Sequence, residues 1–387
     1  MKQNTDEPNS LDVLILGVHT SSEAYPNVKY KIKALMSLDH LKIGEINAPM
    51  PNKINFGAIG TLKKFIYGTF NISKSHIKIL FKYLVRPYCK HIYVPYPATF
   101  LLFLFSFFPR FRPHGKIVID AFISIYDTVV NDRKLISPPS LLARLLKRIE
   151  TRAFNFADIV ITDTEQNKIF YSALFGLPEE KFIAIPLSTN EEAFYDTPYK
   201  PSSDIIKILF VGTMIPLHGI ETILQAADLL QSNNKLSFTI IGNGQDSKLV
   251  ENYINEHPDK IEWINIWQSP EQIASYIKKA DICLGIFGTG KKTQRVCPYK
   301  IYSYMSCGRA IITAETKWTS EVKINAGFSP FSTVPPGNSN ALADEIIRIS
   351  ENPKERSHLA LSGYQFYSKN LSNQVSTDKL EKLFPSD

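Results

Sequence analysis

Short apolar runs alternate with longer amphipathic segments along the chain. Three of the runs, 11–17, 116–119 and 206–211, have the largely apolar character of strands that are buried on both faces of a sheet. Between such runs, segments such as 141–156 repeat their apolar residues at helical spacing. Strands that alternate with helices in this way predict an α/β protein whose parallel sheets are connected by crossover helices.

The segment 281–313 places charge and glycine at one end of a strand. Its predicted strand is Ile282–Phe287, and the glycine-broken loop and helix start that follow carry four cations: Lys291, Lys292, Arg295 and Lys300. Pro298 is predicted to begin the helix, Gly308 to end it, and Ala310–Thr313 to return to the sheet. Glycines, cations and a helix start at the carboxyl end of a strand suit the binding of a diphosphate, although a basic surface loop fits the same residues.

Length and composition favour a globular protein of two domains. A chain of 387 residues is long for one domain, and its hydrophobic content of 44% is ordinary. The polar start, MKQNTDEPNS, predicts no secretion signal, and the most apolar run, 98–108, has about half of the roughly 20 residues that a membrane-spanning helix needs. The four cysteines lack zinc-ligand spacing and a disulfide framework. We therefore expect a cytoplasmic protein whose cysteines are free thiols.

Positive charge is concentrated in one part of the chain. Between Glu45 and Asp120 the sequence has no Asp or Glu and eleven Lys or Arg, within a formal net charge of +7. Four of these cations recur at every fourth position and so share one side of a predicted helix: Lys74, Lys78, Lys82 and Arg86. An apolar stripe lies on the opposed side: Ile77, Leu80, Phe81, Leu84 and Val85.

We expect this basic helix to contact an anionic membrane surface, which would place the protein peripherally on the inner face of the cell membrane. An ordinary surface helix with solvated lysines is the alternative. Nucleic acid is disfavoured as a partner because no stacking aromatic residues are interleaved on the basic stripe.

Three segments resemble the donor domain of retaining GT-B glycosyltransferases, the group called family 4 or glycosyl transferases group 1. KILFVGTMIPLHGIETILQAA, at 207–227, resembles the group's strand, glycine turn and helix. FTIIGNGQ, at 238–245, resembles its I-x-G-x-G-P turn, and PYKIYSYMSCGRAIIT, at 298–313, resembles its P-x-K-(hydrophobic)-x-E-Y segment. The three segments occur in the family's order and at its spacing.

The resemblance implies the GT-B fold, which has two Rossmann-like, doubly wound parallel-sheet domains that face a cleft. On this basis we predict an acceptor-binding domain at 1–195, a linker at 196–205 and a nucleotide-sugar-binding domain at 206–365. The remaining residues, 366–387, are predicted to form a helix that packs on the first domain.

The same resemblance implies the donor-binding residues of this sequence: Gly212, Thr213, His218, Gly242, Gly244, Lys300, Ser303 and Glu321. Glu321 resembles the family's glutamate that precedes the helix after the last donor-side strand, although a simple acid at a helix start explains it equally well. Four positions depart from the family's pattern. Thr213 and His218 stand where arginine and lysine are usual, and Arg295 and Ser303 replace the two acids of an E-x7-E pair. Lys292 and Arg295 are interpreted as catalytic cations that supply the missing charge to the leaving diphosphate.

In the first domain the resemblance implies a further set of cleft residues. Gly17 and His19 follow the first strand and are predicted to contact the acceptor, although an ordinary polar loop explains His19 as well. Asp120 ends a later strand and is the catalytic candidate of this domain, with Asp127 just beyond it in the cleft. Phe122 stands about where the family has a histidine.

The resemblance implies a retaining transferase that requires no metal and no cofactor. It would move a sugar from a nucleotide-sugar donor to a cell-surface glycan or lipid-linked acceptor, as in the biosynthesis of polysaccharides of the cell envelope. One alternative is a catalytically impaired binding or scaffold protein of the same fold, suggested by the four departures. Another is a GT-B-fold sugar-nucleotide epimerase, which gives no reason for the basic helix. An NAD-dependent oxidoreductase is least favoured, since neither GVHTSS nor GNGQDS is a G-x-G-x-x-G motif.

Overall fold

The chain divides into two compact units. A computed structural model describes residues 10–19, 23, 25–48, 74–85, 89–97, 99–109, 112–113, 115–200 and 204–385. The first unit runs to Ser188 and takes in the chain again from Asn373, whereas the second unit is continuous from Thr189 to Ser372. The first unit is therefore built from two separate parts of the sequence.

The first unit contains one six-stranded parallel sheet in the order β2-β1-β3-β4-β5-β6. Its strands are β1 (Leu11–Gly17), β2 (Ile43–Asn47), β3 (Cys89–Val94), β4 (Ile117–Asp120), β5 (Ile159–Thr162) and β6 (Phe182–Ala184). Its helices are α1 (Pro26–Met36), α2 (described over 74–84), α3 (Thr99–Phe105), α4 (Leu141–Phe156), α5 (Glu165–Phe175) and the C-terminal α13 (Asn373–Glu381). A π-helical turn, Asp127–Asp132, follows β4.

The ends of these helices carry the capping residues that their sequences predict. Ser140 accepts a hydrogen bond from the backbone N–H of Ala143 at the start of α4. Thr164 does the same for Asn167 at the start of α5, and Gly176 ends α5 in the left-handed conformation. The bounds of α4 are those predicted from its apolar periodicity.

The second unit contains another six-stranded parallel sheet, in the order β9-β8-β7-β10-β11-β12. Its strands are β7 (Ile206–Val211), β8 (Leu236–Ile241), β9 (Ile261–Ile264), β10 (Ile282–Leu284), β11 (Ala310–Ala314) and β12 (Ser332–Val334). Its helices are α6 (Ile220–Leu229), α7 (Ser247–Glu256), α8 (Pro270–Lys279), α9 (Tyr299–Ser306), α10 (Lys317–Ala326), α11 (Ser339–Ser350) and α12 (Pro353–Asn370). Each unit thus has the doubly wound, Rossmann-like architecture that the sequence predicts.

The strand order of the second sheet reverses direction between β7 and β10, which are adjacent in the sheet. Such a reversal opens a crevice beyond the carboxyl ends of the two strands, because the chain leaves them toward opposite sides. The loop at 212–219 follows β7 and the loop at 285–298 follows β10. Three of the eight predicted donor residues, Gly212, Thr213 and His218, therefore lie at this crevice.

The segment around the predicted linker packs on the second unit. The Tyr199 hydroxyl donates a hydrogen bond to Asp281 at 2.7 Å, and the Lys278 amine lies 3.1 Å from the centroid of the Tyr195 ring. At the other end of the chain, α12 belongs to the second unit and α13 to the first. None of the described helices is both long enough and apolar enough to cross a membrane.

Candidate functional site

Two glycine turns pack backbone against backbone at the carboxyl edge of the second sheet. The N–H of Gly212, just after β7, donates to the carbonyl oxygen of Ile241 at the end of β8. Gly242 has a φ of +127°. A Cβ added there would lie 2.2 Å from the Gly212 carbonyl oxygen. The two turns can approach this closely only because Gly242 has no side chain.

Gly244 continues the same contact. It pairs with Met214 in an isolated parallel bridge, and a Cβ on Gly244 would lie 2.5 Å from the Met214 carbonyl oxygen. The predicted turn residues Gly212, Gly242 and Gly244 are thus brought together by direct backbone packing.

Lys300 lies against the first of these turns. It is the second residue of α9, its side chain is 7% exposed, and a Cβ on Gly212 would lie 2.7 Å from its Nζ. The Nζ lies 3.7 Å from the centroid of the Phe210 ring, and no described residue accepts a hydrogen bond from it. Burial lowers the pKa of the Lys300 amine well below its ordinary value. A buried amine that no described residue satisfies suits the binding of an anion, which would favour its charged form.

Helix α9 holds Lys300 in this position. Pro298 precedes the helix as its N-cap residue, as predicted, and the Tyr304 hydroxyl accepts a hydrogen bond from the Val211 N–H at 2.8 Å. All side chains from Lys300 to Ser306 are buried. The rotation of α9 about its axis is therefore fixed by packing on all sides and by a bond to β7.

Ser303 makes a hydrogen bond within its own helix. Its hydroxyl is buried and donates to the Tyr299 carbonyl oxygen one turn earlier, at 3.4 Å. Serine and threonine commonly make this bond within a helix. Its one donor is therefore used by α9, and its predicted role in donor binding stays a prediction.

His218 and Thr213 flank the turn after β7. His218 ends a 3₁₀ turn, Pro216–His218, and its buried ring lies 5.8 Å from the Phe210 ring. The His218 Cε1 atom would lie 3.1 Å from a Cβ on Gly212. The imidazole, the Lys300 amine and the Gly212 backbone therefore converge, and half-buried Thr213 follows directly.

The predicted catalytic cations lie on the loop between β10 and α9. Lys292 is half-exposed and Arg295 is buried, and they are joined by a turn in which the Arg295 N–H donates to the Lys292 carbonyl oxygen at 3.1 Å. The buried Thr293 hydroxyl between them bonds to no described residue. The loop thus places one cation at the surface and one inside, and the predicted catalytic role of both stays a prediction.

Glu321 does not lie where the sequence placed it. It was expected just before the helix that follows β11, but α10 begins at Lys317 with Thr316 as its N-cap. Glu321 is therefore inside the helix, one turn beyond the first. The capping box formed by Thr316 and Thr319 starts the helix earlier, because their side chains satisfy its free N–H groups.

In the first unit, Asp120 is a buried partner rather than an open carboxylate. Its Oδ2 accepts hydrogen bonds from the Lys31 amine at 3.0 Å and from the Tyr93 hydroxyl at 3.2 Å, and all three side chains are buried. Burial and the neighbouring carboxylate raise the pKa of Tyr93 well above its ordinary value. This arrangement argues against the predicted catalytic role of Asp120 and for a structural ion pair.

His19 also has partners within its own unit. Its buried Nε2 lies 2.9 Å from a carboxylate oxygen of Glu45, and its N–H donates to the Asn47 side chain. Burial lowers the pKa of His19, and Glu45 partly opposes the shift. Gly17 ends β1 at the same edge of the sheet. The loop after β1 is thus anchored to β2, and its contact with an acceptor stays a prediction.

Sequence reasoning missed a buried carboxyl group near Asp127. Glu150 of α4 accepts hydrogen bonds from the Ser124 hydroxyl and from the N–H groups of Ile125 and Tyr126. Burial raises the pKa of Glu150 to about 7 against those hydrogen bonds. Asp127 is buried beside this loop and accepts from Asn131 at 3.0 Å. The available signal was a single acid on the apolar side of α4.

Helix α2 exposes part of the apolar stripe as well as the basic one. Lys74, Lys78 and Lys82 are exposed as predicted, while Arg86 lies outside the described residues. Leu80 is buried, but the other side of the predicted apolar stripe faces solvent, with Phe81 65% and Val85 83% exposed. The stripes therefore share one exposed face rather than opposing each other.

The described residues contain no group of three or more His, Cys, Asp or Glu side chains that could hold a metal ion. The polar side chains that converge on the Gly212 turn are instead the Lys300 amine and the His218 imidazole, which suit an anionic ligand.

Comparisons with known proteins agree with this architecture. Residues 206–352 match the family described as Glycosyl transferases group 1. Among solved structures, sucrose-phosphate synthase from Thermosynechococcus elongatus is 17% identical, with a TM-score of 0.68 over 96% of this chain and 97% of that one. Anabaena Alr3699/HepE in complex with UDP-glucose is 13% identical, with a TM-score of 0.65 over 96% and 98%. A search of curated sequences finds no match.

At such low identities the structural likeness shows the fold. The family match lies within the second unit and covers the glycine turns, Lys300 and α9 together, which are the residues assembled at the crevice between β7 and β10. The chain therefore has the two-domain GT-B fold, and residues 206–352 of its second unit are similar to the Glycosyl transferases group 1 family.

Proposed function

We propose that the protein transfers a sugar from a nucleoside-diphosphate sugar to a glycan or lipid-linked acceptor of the cell envelope. The observation that carries the proposal is the unsatisfied Lys300 amine, buried against the Gly212 turn at the switch point of the second sheet. A diphosphate bound there would supply oxygen atoms that accept hydrogen bonds from the Lys300 amine. Solved neighbours were determined with UDP or UDP-glucose, which supports a donor of this class.

The same residues support a transfer that needs no metal. A leaving diphosphate gains negative charge as the bond to the sugar breaks, and fixed cations stabilise that charge. Lys300, Lys292 and Arg295 are the cations that we assign to this role. Retention of configuration at the sugar is proposed from the family match of the second unit.

The proposed acceptor is linked to lipid and lies at an anionic membrane surface. The exposed cations of α2 support this placement, since Lys74, Lys78 and Lys82 have no acid near them in the sequence. Each such cation contributes roughly 1 kcal/mol near an anionic leaflet. This would place the protein peripherally at the inner face of the membrane.

Calorimetric titration with UDP and with GDP, in excess chelator, tests the donor site. We expect one nucleotide to bind, and Lys300→Met to weaken it by about 10- to 100-fold, the loss of one charge-assisted hydrogen bond. Lys248→Met is the matched control, because Lys248 lies exposed on α7 and pairs with exposed Glu251. No binding by the folded protein, or equal binding by Lys300→Met, would overturn the proposal.

A nucleotide-binding protein without transferase activity is a second candidate. Ser303 favours it, because the hydroxyl that replaces the family's acid is turned toward its own helix. Release of free nucleotide from a series of nucleotide sugars, measured with an envelope extract as acceptor, separates the two. Binding without release would support the second candidate.

A further inference from the structure

Three neighbouring helices form the outer layer on one side of the first sheet. From β2 to β3, β4 and β5 the chain moves in one direction across the sheet. Right-handed crossovers therefore put the connecting helices α2, α3 and α4 on the same face. The Phe105 ring of α3 contacts Tyr83 of α2 at 4.7 Å and Phe156 of α4 at 5.6 Å between centroids. Helix α3 therefore lies between α2 and α4.

Helix α2 presents apolar side chains and cations together on its outer side. Ile77, Phe81 and Val85 are spaced four residues apart and are all exposed. Lys78 and Lys82 follow the first two of them and are exposed as well. The stretch contains no acid, so neither the apolar stripe nor the charge is masked within this helix.

The first half of α4 has the same composition. Leu141 is 82% exposed, and Leu145 is exposed one turn later. Arg144 and Arg148 are exposed beside them. The only acid in the sequence of α4 is Glu150, which is buried. This second cationic and apolar face was not singled out by the charge pattern of the sequence.

Aromatic side chains fill the layer between the two faces. The rings of Phe100 and Phe103 stack with centroids 5.9 Å apart, and Phe103 contacts Phe107 edge-on at 5.2 Å. Phe100 and Phe103 are half-exposed, and Phe107, just after α3, is exposed. The outer layer is therefore apolar at its centre and cationic on both sides.

We propose that the outer faces of α2, α3 and α4 form one docking surface for an anionic lipid bilayer, with the first half of α4 as its second contact. An interfacial helix of this kind buries apolar side chains at the level of the headgroups while its cations pair with lipid phosphates. The inference rests on the proposed function for its biological setting and extends its membrane contact from one helix to three.

The composition favours a bilayer over other partners. The core of a protein–protein interface is depleted of charge, whereas here arginines and lysines alternate with the apolar residues. A nucleic acid would neutralise the cations but would leave aliphatic side chains such as Leu141, Leu145 and Val85 in water, because bases stack on aromatic rings.

Vesicle sedimentation with the full-length chain tests the surface. We expect binding to vesicles of phosphatidylcholine mixed with phosphatidylglycerol, weakened by salt, and little binding to phosphatidylcholine alone. Arg144→Gln with Arg148→Gln should weaken binding by about 20-fold, from about fivefold for each cation. Leu141→Ser with Leu145→Ser should also weaken it. The controls are Lys248→Gln and Ile324→Ser, since Ile324 is 79% exposed in the second unit.

Equal binding by the α4 variants and the controls would overturn the role of α4. Failure of the unaltered protein to bind anionic vesicles, or retention by single-stranded DNA in their place, would overturn the whole surface. The UDP and GDP titrations run on the same samples keep this result separate from the proposed transferase, because the donor residues lie in the other unit. Unchanged thermal unfolding of each variant shows that it is folded.

Discussion

Lys300 combines a receptor for anions with a cost to the free protein. A polar group buried without a hydrogen bond costs about 1–3 kcal/mol by mutational measurement. Lys300→Met keeps the length of the side chain and removes that cost, so we expect the variant to have a higher free energy of unfolding than the unaltered protein. Chemical denaturation at neutral pH measures this free energy, with Lys248→Met as the control. A loss of stability would mean that the amine has a partner in the folded chain.

The same amine should make nucleotide binding depend on pH. Burial lowers the pKa of Lys300 from 10.5, so the free site favours the neutral amine, whereas a bound diphosphate favours the ammonium form. Between these two pKa values, binding takes up a proton and the affinity falls by up to about tenfold for each unit that the pH rises. Calorimetry of UDP or GDP in buffers of different ionisation enthalpy measures the proton uptake. Its persistence in Lys300→Met would assign it to another group.

Asp120 and Lys31 offer a direct test between catalysis and structure. Removing one partner of a buried ion pair costs about 3–5 kcal/mol, because the other charge stays buried alone. We therefore expect Asp120→Ala to be strongly destabilised and the double change Lys31→Met with Asp120→Leu to recover most of the loss. Denaturation midpoints provide the measurement. A stable but inactive Asp120→Asn would instead restore the catalytic interpretation.

At the scale of elements, Glu150 ties α4 to the loop that follows β4. Its carboxyl group accepts hydrogen bonds from the Ser124 hydroxyl and from two successive backbone N–H groups. Three hydrogen bonds therefore attach the loop to the helix. These hydrogen bonds lie at the edge of the sheet where acceptor-binding residues are predicted from the sequence.

The buried carboxyl group of Glu150 should make the free energy of unfolding fall as the pH rises. The pKa of Glu150 is about 7 when folded, against an ordinary 4.5, so the unfolded chain loses this proton first. The stability that protonated Glu150 contributes is fully present below about pH 4.5 and is lost as the pH rises to about 7. The difference between the two pKa values corresponds to about 3 kcal/mol, at about 1.36 kcal/mol per pH unit. We expect Glu150→Gln to flatten this slope in denaturation series between these pH values. An unchanged slope would exclude Glu150 as its source.

The elements themselves were largely predictable, because each depends on short-range pattern. The strand Ile206–Val211 and the helix Leu141–Phe156 were predicted at their observed bounds. The donor turns were found because close backbone packing requires glycine, which is visible at 212, 242 and 244. In contrast, Lys31 and Asp120 are 89 residues apart, and nothing local marks them as a pair. The position of Glu321 was predicted wrongly because the capping box of Thr316 and Thr319 begins α10 before Glu321, whereas the acid itself was taken as the sign of a helix start.

At the scale of the whole molecule, α13 completes a core that the rest of its unit begins. Leu380, Leu383 and Phe384 belong to the buried core of the first unit, and the Phe384 ring contacts His91 of β3 at 5.6 Å between centroids. The first unit therefore depends on residues that follow the entire second unit in sequence.

Phe384→Ala should destabilise the first unit alone, by about 3–5 kcal/mol. All three tryptophans, Trp263, Trp267 and Trp318, lie in the second unit, so their fluorescence reports that unit, while circular dichroism reports both. We expect the dichroism transition to move to lower temperature and the fluorescence transition to stay. Leu361→Ala, on the exposed side of α12, is the control. Equal movement of both signals would show that the units unfold together.

The divided first unit also sets the order of events during synthesis on the ribosome. When Ser188 has been made, the first sheet has all its strands but lacks α13, and the side of its core that receives Phe384 is open. The second unit must be translated in full before Asn373 appears, a delay of about 10–40 s at bacterial and eukaryotic elongation rates. Through that interval the nascent chain carries an incomplete apolar core beside a complete domain. We therefore expect this open apolar core to bind chaperones until the residues from Asn373 to Phe384 have been translated.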